Sequence, residues 1–261
     1  MDVYWLEQTE ADVPPDFDWL SASEAARLDG MRFAKRRADW RLGRWTAKRA
    51  LAAYLSVPSH SQALADIEIR PAPDGAPEAF FANQPAAVSV SISHRAGTAV
   101  CAVALSGVAL GCDLEIAEPR SDSFVTDYFT LEEQGLVGRA STPDRPRLLA
   151  LLWSGKESAL KALRAGLRLD TRCVIVDPAD ALVRPAEGRE GRTEDPALPI
   201  QASYGVDSWR PLHVRCTDGQ LFHGWWQNTG HLMVAVGIPV ARYPPHGSVR
   251  ALINAYGSYL G

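Results

Sequence analysis

The sequence predicts an α+β fold with two similar halves. Each half reads as a helix followed by strands. Two capping boxes, Ser21–Glu24 and Thr130–Glu133, mark helix starts. The strand candidates are short and separated by turn residues, which suits antiparallel sheets. No clear sequence repeat is legible, so the likeness of the halves rests on element order.

In chain order, Val3–Leu6 reads as a first strand. A helical segment runs from the first capping box to about Ser56, broken near Gly30 and ended by Pro58. Ile67–Arg70 suits a strand, and Pro71–Pro85, rich in Pro, Gly and Ala, reads as a loop. Val88–Ser93 alternates strictly between apolar and polar, the mark of a half-buried strand. His94–Gly97 turns into the nearly continuous apolar strand Thr98–Leu105, and Ser106-Gly107 turns again into Val108–Ile116. The second capping box opens a short helix. Arg147–Ala165 is a long amphipathic helix with Gly166 as its C-cap, and Cys173–Val176 is a strand. Ala179–Pro199 reads as a polar loop, followed by strands at Gln201–Tyr204, Leu212–Cys216, Leu221–Gln227 and His231–Ile238, and a helix at Ser248–Tyr259. Trp225 and Trp226, adjacent on a strand, face opposite sides, so one of them packs in the core.

The 261 residues suffice to bury a sizeable core without disulfides or a structural metal. A net charge of −4 and a pI near 5.9 argue against nucleic acid or an anionic membrane as partner. Within this acidic chain, Arg27–Arg49 is strongly basic, which suggests a local anion site. Arg37, Arg41, Arg44 and Lys48 recur there at three- or four-residue steps as a cationic stripe. Cys101, Cys112, Cys173 and Cys216 lack zinc-ligand spacing and read as buried thiols of a reducing compartment. The N-terminus lacks the apolar stretch of a signal peptide, and no run is long enough to cross a membrane, so a cytoplasmic protein is expected.

Three further segments carry chemistry. In Gly111-Cys-Asp113-Leu-Glu115, a strand places Asp113 and Glu115 on one side and Cys112 and Leu114 on the other. Two adjacent carboxylates repel, and keeping both ionised calls for a hard cation such as Mg²⁺. Alone the motif is weak, since a solvent-facing acidic strand reads the same way. In Trp153-Ser-Gly-Lys156-Glu157-Ser-Ala-Leu-Lys161, Trp153, Glu157 and Lys161 share a helix face, where Glu157 and Lys161 could be no more than a surface ion pair. Ser91-Ile-Ser93-His94 ends a strand, which places His94 to meet a ligand.

Taken together, in this order and spacing, these segments resemble the larger, two-lobed class of 4′-phosphopantetheinyl transferases, over roughly residues 20 to 178. The resemblance implies a pseudo-dimer of two similar lobes, each a mainly antiparallel sheet with a long helix, and coenzyme A in the cleft between them. Residues 1–107 would form the lobe on the adenine and 3′-phosphate side, and 108–261 the lobe on the Mg²⁺ and pyrophosphate side. It implies Mg²⁺ on Asp113, Glu115 and Glu157, Lys161 against the pyrophosphate, and Ser93-His94 beside the 3′-phosphate with Arg32, Arg37 and Arg44. Glu157 and Lys161 would be the catalytic pair. The family's Gly-Lys-Pro loop reads Gly75-Ala76-Pro77 here, so Gly75 and Pro77 keep the cradle while the lysine is missing. The implied partners are coenzyme A and an apo carrier protein, and two lobes in one chain make a monomer sufficient. A different Mg²⁺-dependent enzyme acting on a nucleoside phosphate, or a non-catalytic module that grips coenzyme A or a carrier, would use many of the same residues.

Overall fold

A computed structural model describes residues 3–178, 209–228 and 232–238, the last as backbone. It is an α+β fold in which every strand pairing is antiparallel. The elements run β1 (Tyr4–Thr9), α1 (Ala22–Asp29), α2 (Ala34–Tyr54), α3 (Ser61–Ala65), β2 (Ile67–Pro71), β3 (Pro77–Phe81), β4 (Gln84–Pro85), β5 (Val88–Arg95), β6 (Thr98–Leu105) and β7 (Gly111–Ile116). Then follow α4 (Asp122–Tyr128), α5 (Leu131–Arg139), α6 (Arg145–Ala162), β8 (Val174–Asp177), β9 (Arg210–Cys216), β10 (Leu221–Asn228) and β11 (Leu232–Ile238). Three sheets result, ordered β1-β6-β5, β2-β3-β4 and β7-β11-β10-β9-β8.

The expected helix break falls at Gly30, the C-cap of α1, and both capping boxes form. The expected loop Pro71–Pro85 instead holds β3 and β4. Ala82 and Asn83 both take positive φ in a two-residue turn, and Pro71, Pro77 and Pro85 sit at strand ends, where a missing amide donor is tolerated. The strand expected from Val108 starts only at Gly111, and Arg95 still belongs to β5. After α6 both Arg164 and Gly166 are left-handed, each with φ 54°, while the C-cap is Leu163 and Gly166 opens a short 3-10 turn. Helices α3 and α4 are too short to show a face in sequence. The expected loop 179–199, the strand Gln201–Tyr204 and the helix Ser248–Tyr259 lie outside the described residues. Trp226 is the buried one of the tryptophan pair. Cys101, Cys112 and Cys216 are buried free thiols and Cys173 is half-buried.

Three apolar clusters hold the fold. One packs α2 against β1, β2 and β6, and one packs α6 against β8, β9 and β10. The third lies between them, where Trp5, Val100, Ala102 and Ala104 meet Cys112 and Leu114 of β7. Strand β6 thus sends Cys101 and Val103 to one cluster and its even-numbered neighbours to another, which is why its sequence is apolar almost throughout. The same packing turns Asp113 and Glu115 the other way.

The basic stripe of α2 does not form an open phosphate face. Its spacing is also that of a core-facing helix side. Arg37 donates to the carbonyls of Leu28 and Met31, Arg41 to that of Pro14, and Lys48 is fully buried. Lys48 pairs with Glu24 and donates to the carbonyls of Trp19 and Leu64 at 2.9 and 3.0 Å. Lys156 of α6, also fully buried, does the same with Glu133 (2.8 Å) and the carbonyls of Thr171 and Val174. Each glutamate belongs to a capping box, and each accepts from one strand amide, Ile69 at 3.2 Å and Val176 at 2.9 Å. The repeat that sequence inspection missed is therefore Trp45-x-x-Lys48 against Trp153-x-x-Lys156.

Candidate active site

Strand β7 and helix α6 build the site because they touch backbone to backbone. A Cβ on Gly111 would stand 1.8 Å from the carbonyl oxygen of Ser158. Only glycine admits that approach. It sets the last turns of α6 across β7, so that Lys161 Nζ reaches Asp113 Oδ1 at 2.8 Å and the Cys112 carbonyl at 3.0 Å. The surface ion pair between Glu157 and Lys161 that the spacing allows gives way to this cross-element bond.

The two serines of Ser91-x-Ser93-His94 explain their own spacing. Both face β7 from β5, and β5 and β7 are edges of different sheets. Ser91 Oγ accepts from the Cys112 amide at 2.9 Å, and Ser93 Oγ donates to Asp113 Oδ1 at 2.8 Å. Ser93 is buried and spends its hydroxyl on holding Asp113.

Asp113 is 4 % exposed, and its second oxygen, Oδ2, is buried with no hydrogen-bond partner. An orphaned carboxylate oxygen in the interior costs free energy unless something meets it. Burial pushes the Glu115 carboxyl up from its ordinary value; Asp113 and Glu157 add to this, against Arg95 and Arg120. Burial and then Asp113 push Glu157 up likewise, against Lys161. Burial alone would favour the neutral amine of Lys161, but Asp113, Cys112 and Glu157 outweigh it and hold the lysine protonated. Glu115 leans away from the centre, with Oε2 3.2 Å from Arg120 and 3.9 Å from Arg95. Among the described residues no three His, Cys, Asp or Glu side chains are already closed into a metal cage. The donor set nonetheless suits a hard divalent cation: all oxygen, one oxygen unmatched, and excess negative charge around it.

Two cavities flank this centre. The larger, about 800 Å³, is lined by Gly75, Ala76 and Pro77 on one wall and by Lys161 and Arg164 on the other, with Ser91 between. The smaller, about 460 Å³, brings His94 together with Phe33, Lys35, Arg36, Asp39 and Trp40. Surrounding groups desolvate His94 and lower its basicity, although its surface is open to solvent; Asp39 opposes this and Lys161 adds to it. The structure thus brings Ser93, Asp113, Glu115, Glu157 and Lys161 together, and sets Gly75 with Pro77 and His94 in the adjoining cavities. It does not bring Arg32, Arg37 or Arg44 to His94. Arg32 is exposed ahead of α2, Arg37 donates to the carbonyls of Leu28 and Met31, and Arg44 lies over Trp40 and near Glu24. Lys35 and Arg36 line the His94 cavity instead. Their signal was position rather than spacing: they stand in the first turn of α2, where amide dipoles favour an anion.

Residues 109–212 match the family model of the 4′-phosphopantetheinyl transferase superfamily. Curated proteins give no match. Among solved structures, the chain is similar to a holo-(acyl-carrier-protein) synthase from Bacillus anthracis str. Ames in complex with CoA (3′,5′-ADP). The identity is 22 %, the match covers 40 % of this chain and 94 % of that one, and the TM-score is 0.34.

Proposed function

We propose that this chain transfers the 4′-phosphopantetheine group of coenzyme A to a serine hydroxyl of an apo carrier protein, releasing 3′,5′-adenosine bisphosphate. The observation that carries the reading is the buried Asp113 carboxylate. One of its oxygens is held by Ser93 and Lys161 and the other is unmatched, beside Glu115 and Glu157 and at the edge of the larger cleft. The family match over residues 109–212 contains all four charged residues.

In this reading the cleft takes the coenzyme between the Gly75–Pro77 loop and the end of α6, and His94 with Lys35 and Arg36 receives its 3′-phosphate. Lys161, kept protonated by Asp113, meets the negative charge of the pyrophosphate. The Glu157 carboxylate makes no hydrogen bond or ion pair among the described residues, which leaves it open to accept a proton. It accepts the proton of the carrier serine as the serine oxygen bonds to the β-phosphorus and the bond to the bisphosphate breaks. Asp113, Glu115 and Glu157 would hold Mg²⁺, which supplies charge neutralisation at the diphosphate when bound. For Glu115 this requires leaving Arg120.

The two-lobed arrangement, divided near residue 107, belongs to the same proposal. It is supported by the doubled set of capping-box glutamate, buried helix lysine and strand amide. The first copy carries Arg49 and Ala53 where the second has Glu157 and Lys161, so only one half is equipped for the chemistry.

The test is incubation of the purified chain with coenzyme A, Mg²⁺ and apo carriers of fatty-acid, polyketide and peptide type, with the carriers weighed by mass spectrometry. Gain of one phosphopantetheine group, blocked by a chelator, is expected. No gain on any carrier, with nucleotide hydrolysis in its place, overturns the reading.

A further inference from the structure

Arg164 follows directly on α6 and has a φ of 54°, the left-handed region that glycine occupies freely and other residues enter at a cost. A glycine there would relieve the backbone, so the arginine has to be explained by its side chain. Its guanidinium reaches the tip of the β2–β3 hairpin, about ninety residues away in sequence. Nε donates to Asp74 Oδ2 at 2.7 Å and Nη2 to Asp74 Oδ1 at 3.1 Å, a forked pair. Nη2 also reaches Glu78 Oε1 at 3.1 Å. The shifts of both partners agree: Arg164 holds the Asp74 carboxyl below its ordinary value, and Asp74 and Glu78 raise Arg164.

Each end of this link is itself fastened. Arg168 donates to the carbonyls of Arg164 and Ala165, which fixes the turn that presents Arg164. Asp74 Oδ1 also accepts from the Ala76 amide at 3.0 Å, and Gly75, with φ 91°, donates to the Ala72 carbonyl. Asp74 and Arg164 both line the 800 Å³ cleft. The pair therefore joins the cleft's two walls, the 74–77 loop and the end of the helix that carries Glu157 and Lys161.

We propose that Arg164 is a positioning residue for the substrate cleft: through Asp74 and Glu78 it holds the 74–77 loop at the distance from α6 at which a nucleotide-bearing ligand is gripped. This rests on the coenzyme A reading above. Lys161 acts on the substrate itself, whereas Arg164 acts by holding the wall opposite.

The consequence is a separation of binding from chemistry and from stability. In Arg164→Gly the backbone conformation is relaxed while the link is lost. Its melting temperature should equal or exceed that of the wild type, and its Kd for coenzyme A, read by calorimetry without carrier, should rise about threefold to fivefold, the upper part of the range for a partly exposed ion pair. KM for coenzyme A should rise in step, with kcat at saturation unchanged. Asp74→Asn, a substitution at an exposed position that leaves the fold intact, should give the same split. Arg164→Lys should recover part of the affinity, because it keeps the charge and loses the fork. A wild-type affinity in both Arg164→Gly and Asp74→Asn overturns the inference and leaves the transferase reading standing. Absence of coenzyme A binding by the wild-type chain overturns both.

Discussion

A buried carboxylate oxygen without a partner is a destabilising feature, and the residues around Asp113 make it more so. Glu115 and Glu157 both have raised values in the fold, burial being the first cause in each case. A carboxyl raised above its unfolded value contributes stability that is full below the unfolded value, ordinarily 4.5, and lost as pH rises through the raised one. At neutral pH, then, the site strains the cation-free protein, and protonation or a cation relieves it. Glu157→Gln should therefore raise the melting temperature of chelator-treated protein at neutral pH and change it little in acid. In the wild type, Mg²⁺ should raise the neutral-pH melting temperature, and by less in the variant. The same variant should lose about 10²- to 10⁴-fold in turnover, the range for a general base. Turnover near the wild-type value, or a melting temperature lowered at neutral pH, would remove Glu157 from the role given to it. Asp113 itself was legible at this scale, since a period of two along β7 tells which carboxylates share a face. The orphaned Oδ2 was not, because it depends on Ser93 and Lys161 arriving from two other elements.

At the scale of elements, the proposed chemistry depends on how α6 lies on β7, and two features set it. The first is Gly111. An added methyl meets Ser158 and Ala162 backbone atoms at 1.8 to 2.9 Å, and backbone cannot swing aside as a side-chain tip can. Gly111→Ala should cost at least the ~1–3 kcal/mol of ordinary overpacking, and should lift Lys161 off Asp113. Denaturant melts together with the metal-dependent activity check this; full stability would mean that α6 has another seat. The second feature is the buried pair Lys156–Glu133, which ties α6 to the start of α5 and, through the Val176 amide, to β8. Lys156→Met alone leaves a charged glutamate in the interior and should cost about 3–5 kcal/mol. Adding Glu133→Gln keeps a carbonyl to accept from Val176 and should return much of that loss, a coupling that a double-mutant cycle would read. Most of these elements could be placed from sequence because caps and periodicity are local. The 71–85 segment could not, since its prolines read as loop and its strands are defined by pairing, β3 with β2 and β4 with β3. The stripe of α2 misled because arginines at core spacing look the same in sequence whether they face solvent or reach inward to backbone carbonyls.

Across the whole molecule, the doubled buried pair accounts for both the likeness of the halves and their inequality. Lys48 and Lys156 do the same work for α2 and α6: each draws a capping-box glutamate and two backbone carbonyls from other elements onto the helix. That likeness escaped sequence inspection because only a Trp-x-x-Lys and two capping boxes carry it, while Glu157 and Lys161 have no counterpart in the first half. The divergence has a consequence in solution. The position equivalent to Glu157 is Arg49, which lies against Trp45 and loses basicity through burial, and the position equivalent to Lys161 is Ala53. A helix carrying a cation there cannot help to hold another cation. One chain should therefore bind one coenzyme A in the presence of Mg²⁺. Because α2, α6 and the serines of β5 come from a single chain, the site needs no second copy to complete it. Light scattering should give the 28.4 kDa mass of a monomer, and titration calorimetry one equivalent of coenzyme A per chain. Two equivalents would show that the first half keeps a working site despite Arg49. One equivalent per dimer would show that the second chain, and not the first half of the same one, supplies the facing wall.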